Sequence, residues 1–219
     1  MKCFVIALES EARPIISHMS AAAEKEVYGK KIWSGKICKE KTCVIVCGVG
    51  KVNAACAAQY AIDILKADCV INVGMAGALN NFCNVADIYE IDRAAQYDFD
   101  LVQLNHTPIG TLNEFEDRWL KLETAGIFPR KSLATGDRFN DSAADFTLLT
   151  DDMQADIRDM EGAAIAQVCI HAGVPFYSFK AISDIAGSGS TIDQFLANTE
   201  ACVKALDRAA EKIFNGARA

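Results

Sequence analysis

Three acidic side chains stand where apolar segments begin or end, a position from which a carboxylate can be buried and put to use. Glu11 follows MKCFVIAL, Glu161 opens the apolar run MEGAAIAQVC, and Asp184 closes VPFYSFKAISD behind Lys180 and Ser183. A carboxylate delivered by a strand is costly to desolvate without a partner, so Asp184 is either hydrogen-bonded structure or chemistry. For Glu161 a plainer role competes, since an acid in a first helical turn complements the helix dipole. Together the three suit cleavage of a glycosidic bond, which needs a protonated carboxyl for the leaving group and an ionised carboxylate for water. Breaking the bond of a nucleoside builds positive charge on the ribose, and nearby carboxylates stabilise it. Spacing along the chain does not by itself bring them together.

The elements that must do so alternate. MKCFVIAL reads as a strand and ESEARPIISHMSAAA as an amphipathic helix; TCVIVCG and KVNAACAAQYAIDILKA repeat the pair. CVINVGMAG and ADIYEIDRAA give two more strands, FEDRWLKLETAG a helix and SLATGD a short strand. MEGAAIAQVCIHAG is a helix, VPFYSFKAIS a strand, and TIDQFLANTEACVKALDRAAEKIF a closing helix. EVYGKKIWSGKICKEKT, with its glycines and short alternating pieces, reads as antiparallel hairpin strands. The alternation predicts an α/β fold, a three-layer mixed β-sheet flanked by helices, with ligands at the carboxyl ends of strands. With no repeat, no linker and only four prolines, residues 1–219 are expected to form a single domain.

Two glycine turns weigh less. GVGK at 48–51 lacks the Walker spacing, since position 45 is Ile and Lys51 precedes Val52, and Asn53 breaks the dinucleotide pattern. It remains a strand, a tight turn and a helix N-terminus that either meets a ligand or is only a turn. VGMAGAL at 73–79 bares the backbone at a strand end, which suits a flat ligand or close packing equally.

Composition closes other doors. The net charge of −7 leaves no electrostatic footprint for nucleic acid or an anionic membrane. Nine scattered cysteines without a CxxC pair, beside three histidines out of ligand spacing, read as buried reduced thiols of a cytoplasmic protein with no metal site. No segment has the form of a signal peptide or reaches membrane-spanning length.

In order the chain carries ALESEARPI, CGVGKVNAA, INVGMAGAL, ATGDRFND, DMEGAAIA and VPFYSFKAISDIAG. This set resembles the signature segments of 5′-methylthioadenosine/S-adenosylhomocysteine nucleosidases, within the nucleoside phosphorylase superfamily, from about residue 1 to 215. The resemblance implies a phosphorylase-like fold, usually a homodimer, a small-molecule purine nucleoside as substrate and no cofactor. It implies that Asp184 protonates the purine at N7 with support from Ser183, that Glu161 binds the ribose hydroxyls over Met160, and that Glu11 holds the attacking water. Phe139 would stack on the purine, while Val49, Ala76, Gly77 and Asp159 join the substrate site.

The sequence also departs from the pattern. Lys180 stands where an arginine is common, a point charge without a bidentate fork. Met75 replaces a serine, and Asn140 replaces the aliphatic residue after the stacking Phe. QYDFDLVQLNHTPIGTLNEF is shorter than its counterpart, which supplies much of the 5′-substituent pocket and some dimer contacts. Phosphorylases of the superfamily hold phosphate with arginines and a serine; here the matching positions are Asn72 and Met75, with Arg13 as a stray cation, so water is the expected nucleophile. A phosphate-dependent phosphorylase and a non-catalytic nucleoside-binding homologue are the alternatives.

Overall fold

The computed structural model describes residues 1–218. Its strands are β1 (Lys2–Ile6), β2 (Ser20–Val27), β3 (Lys30–Ile37), β4 (Glu40–Val46), β5 (Cys69–Ala78), β6 (Ile88–Gln96), β7 (Leu120–Lys121), β8 (Arg130–Thr135), β9 (Ile157–Asp159) and β10 (Phe176–Ile185). Its helices are α1 (Glu9–Ser17), α2 (Lys51–Asp63), α3 (Val102–Asn105), α4 (Ala143–Thr147), α5 (Gly162–Ala172) and α6 (Thr191–Gly216). No helix among the described residues is long and apolar enough to cross a membrane.

The sheet is mixed. β5 and β10, ten residues each, lie parallel at its centre and are buried almost throughout, as their continuous apolar runs require. Alternation in β1 divides the core: Phe4 and Ile6 pack with α1 and α6, whereas Cys3 and Val5 pack with α2 and α5. These two apolar layers give the expected three-layer arrangement. One half of the sheet also closes on itself, since β5 pairs β10, β10 pairs β6, β6 pairs β8, β8 pairs β9 and β9 returns to β5. Small residues such as Ala76, Ala78 and Ala94 pack with Ile91, Leu133 and Ile182 in this ring. The outer hairpin strand β2 is exposed and carries Glu24, Lys25 and Glu26, charges that discourage further edge pairing.

Two predicted elements are corrected. The first helix ends at Ser17, and the alanines after it form β2, because pairing with β3 outweighs their helical preference. FEDRWLKLETAG is not a helix. Leu120–Lys121 pair with β6, Arg93 stacks on Trp119 with its guanidinium carbon 4.7 Å from the ring centre, and Glu90 accepts the N–H groups of Ala125, Gly126 and Ile127. The segment's backbone donors are spent on the sheet rather than on one another.

Candidate active site

Glu11 sits in the first turn of α1, just past the end of β1. Its Oε2 accepts the Leu8 N–H at 3.1 Å and its Oε1 accepts the Met75 N–H at 2.7 Å. The fit requires Gly74, where a side chain would begin 3.1 Å from Oε1. Burial pushes the Glu11 carboxyl up from the ordinary carboxylate range, against the pull of the Met75 N–H, of Lys180 and of the Leu8 N–H.

Glu161 occupies the N-cap of α5, and its Oε1 accepts the Gly50 N–H at 2.8 Å. This is where the GVGK turn is spent. Gly48 and Gly50 hold φ of 88° and 99°, a conformation natural to glycine, and the second aims its N–H at the acid. Lys51 is turned away to Gln96 and Asp98. Burial, then the charge of Asp159, pushes Glu161 up to about 7, with Lys180 and the Gly50 N–H pulling the other way.

Asp184 follows a register shift in β10 between Ile182 and Asp184. Ser183 Oγ donates to Asp184 Oδ1 at 2.6 Å, and Asp184 Oδ2 lies 2.5 Å from where a side chain at Gly77 would start. Only 3% of Asp184 is exposed, and burial raises its pKa against the hydrogen bond from Ser183 and the charge of Arg158.

These acids meet in one cavity of about 410 Å³. Of the residues singled out in the sequence, Glu11, Val49, Met75, Ala76, Gly77, Phe139, Asp159, Met160, Glu161, Ser183 and Asp184 line it. Phe139 stands half-exposed at its side and packs edge-on against Phe195, with ring centres 5.7 Å apart. Lys180 and Asn140 do not line it. The buried Nζ of Lys180 lies 2.8 Å from Asp159 Oδ2, behind the site. Burial alone would lower the lysine's pKa, but Asp159 and Glu161 hold it above its ordinary value. Asp159 also accepts Thr135 Oγ1 at 2.6 Å and the Gly162 N–H at 2.9 Å. Asn140 donates to Asp145 Oδ2 at 3.0 Å and accepts the Ser142 N–H at 3.1 Å. Arg13 is on the surface with Glu9.

Arg138, Arg158, Thr191, Ile192 and Phe195 line the cavity without having been singled out. The last three begin α6, which the FKAISD strand leads into, so their place was readable. Arg158 belongs to a three-residue strand too short to show a pattern. Four other concavities among the described residues, of about 280 to 600 Å³, hold no comparable cluster of buried acids. Among the described residues no group of three or more His, Cys, Asp or Glu is arranged to hold a metal ion.

The family description "Phosphorylase superfamily" matches residues 2–215. The chain belongs to that superfamily. Within it, a 5′-methylthioadenosine/S-adenosylhomocysteine nucleosidase of Haemophilus ducreyi is 34% identical over 207 residues, which cover 87% of this chain and 88% of the relative. That similarity places the chain in the nucleosidase family. The nucleosidase of Colwellia psychrerythraea, solved in complex with adenine, superposes with a TM-score of 0.90 at 25% identity, covering 99% of this chain and 95% of that one. The futalosine hydrolase of Helicobacter pylori shares the fold with a TM-score of 0.88 at 22% identity, over 98% of this chain and 95% of that one.

Proposed function

We propose that this protein hydrolyses the N-glycosidic bond of 5′-methylthioadenosine, S-adenosylhomocysteine or both, releasing adenine and the thioribose product. The observation that carries this reading is the meeting of Glu11, Glu161 and Asp184, all buried and all with raised pKa, around one cavity at the strand ends.

In this reading Asp184 gives a proton to purine N7, a role supported by the burial that raises its pKa. The bond between C1′ and N9 then breaks with its electron pair passing to the base. Positive charge gathers on the ribose, where ionised Glu161 accepts the sugar hydroxyls and faces the charge. Water adds to C1′ and loses a proton to Glu11. Phe139 covers the base and Met160 the sugar, while Val49, Met75, Ala76 and Gly77 present small or apolar surface. Asp159 and Lys180 act from behind as a buried ion pair, with Ser183 orienting Asp184.

Water is favoured over phosphate because Arg138 is paired with Asp145 at 2.6 Å, Arg13 is engaged at the surface, and Asn72 and Met75 stand where the phosphorylases hold phosphate. A dianion held by few charge-assisted donors would be bound poorly. Base release from each nucleoside in phosphate-free buffer, followed by chromatography, tests the reading. Turnover that requires phosphate overturns it. Asp184→Asn is expected to lower kcat by about 100- to 10,000-fold, the range for a general acid, with the fold unchanged.

We propose in addition a single domain, supported by one continuous sheet, and a homodimer, supported by the exposed apolar side chains Tyr28, Val52, Ile64 and Leu104. Sedimentation equilibrium at twice the chain mass is the expected result. Cytoplasmic residence is supported by nine cysteines that are all free thiols.

A further inference from the structure

Arg158 lines the cavity but has no part in the reaction as written above. It lies on β9 in register with Gly77, and Asp184 lies in register with the same glycine from β10. Side chains of paired residues on neighbouring strands project to one face of the sheet. Gly77 contributes none, so the Asp184 carboxyl and the Arg158 guanidinium face the same space across bare backbone, and both line the cavity. The guanidinium is loosely tethered: Nη2 donates to Thr191 Oγ1 at 3.3 Å, and Thr191 Oγ1 donates in turn to Asp141. Its other N–H groups have no protein acceptor among the described residues, and a guanidinium can only donate.

If Asp184 delivers a proton to purine N7, the substituent on C6 comes next along the same edge of the base. A 6-amino group brings donors, which a second set of donors cannot satisfy. A 6-oxo group brings an acceptor. As the bond from C1′ to N9 breaks, the electron pair that passes into the base is shared with that oxygen, where a guanidinium can meet it. Resting on the nucleosidase reading, we propose that Arg158 extends the activity to 6-oxopurine nucleosides, so that the protein releases hypoxanthine from a 5′-substituted inosine as well as adenine from its adenosine counterpart. The step keeps the same balance: N7 gains the proton of Asp184, C1′ gains the oxygen of water, and the proton of that water goes to Glu11.

The experiment measures kcat/KM for 5′-methylthioadenosine and 5′-methylthioinosine with wild-type protein, Arg158→Met and Arg158→Lys. Wild type is expected to release both bases. Arg158→Met should shift the inosine-to-adenosine ratio of kcat/KM about 10- to 100-fold toward adenosine, the value of one charge-assisted hydrogen bond, and Arg158→Lys should recover part of it. Direct calorimetry of free hypoxanthine should show the same ordering, and it stands apart from catalysis. A merely structural arginine would lower both substrates together and leave the ratio in place, which overturns the proposal. Adenine release by wild type without hypoxanthine release overturns it while leaving the nucleosidase reading intact. Release of neither base overturns both.

Discussion

A single methyl group at residue 77 gives the sharpest test of how the acid is positioned. Asp184 Oδ2 rests against Gly77 so closely that the Cβ of an alanine would fall 2.5 Å from it and 3.2 Å from Cγ, well inside the 3.4 Å at which ordinary contact begins. The φ of Gly77 is not in the left-handed region, so the backbone tolerates alanine and the conflict is with the carboxylate alone. The opposite oxygen is pinned at 2.6 Å by Ser183. Relief therefore requires the acid to move by roughly 1 Å, a displacement that costs catalysis on the order of 100-fold, or about 2.7 kcal/mol of transition-state stabilisation.

Stability should change less. Overpacking costs about 1–3 kcal/mol, partly offset by the about 0.4–1 kcal/mol gained when a glycine leaves the unfolded chain. Gly74→Ala is the graded comparison, because its methyl would fall 3.1 Å from Glu11 Oε1 and asks for only a few tenths of an ångström. The assay is single-turnover base release alongside urea denaturation of both variants. Gly77→Ala should lose far more activity than Gly74→Ala at comparable stability. If Gly77→Ala keeps kcat within about threefold of wild type with an intact fold, a misplaced acid does not cost what an effect of this size demands, and the assignment of Asp184 fails.

Two further perturbations probe the charges. Lys180→Met leaves Asp159 buried beside Glu161 without its cation and with only its Thr135 and Gly162 hydrogen bonds, so unfolding free energy in urea should fall by about 3–5 kcal/mol; an unchanged midpoint would mean that the pair contributes nothing. Glu161, at about 7 in the folded protein against 4.5 unfolded, holds its proton more tightly when folded. Its contribution to stability is thus complete below 4.5 and lost as pH rises through 7, a difference on the order of 3 kcal/mol that Glu161→Gln should remove. Because the ionised form is the one proposed to face the ribose, kcat/KM should fall as pH drops below about 7, and an activity flat from pH 8 to pH 5 would contradict that role.

Much of this arrangement was legible because the strands that carry it are long and apolar. CVINVGMAG and VPFYSFKAIS announce β5 and β10, MKCFVIAL announces β1, and the places of Asp184 near the end of β10 and of Glu11 past the end of β1 follow from chain direction. What stayed hidden depends on partners distant in sequence. Trp119 and Leu122 sit at helical spacing, yet Arg93 and Glu90 take that segment for the sheet. Arg158 is in a strand of three residues whose place comes wholly from pairing with β5 and β8. Lys180 showed a cation near acids, but only the fold brings Asp159 within 2.8 Å and so turns the charge away from the cavity.

That pairing also accounts for why the acids around the cavity stay raised although a buried cation lies close by. Among the described residues Lys180 is the only cation with a fully buried side chain, and Asp159 claims it by direct contact. Glu11 and Glu161 feel the lysine only as a charge at a distance, too weakly to cancel their desolvation, and both remain raised. Asp184 is relieved in part by Ser183 and Arg158 instead, and burial keeps it raised as well. In the sheet, Lys180 lies in register with Gly74 and Asp184 with Gly77, so the two glycines of VGMAG face the cation and the acid across one pair of strands. Glu11 packs on the first glycine and Asp184 on the second. The bareness of β5 thus sets the separation between the carboxyl proposed for the water and the one proposed for the base, and a side chain at either position would change that separation before it changed the fold.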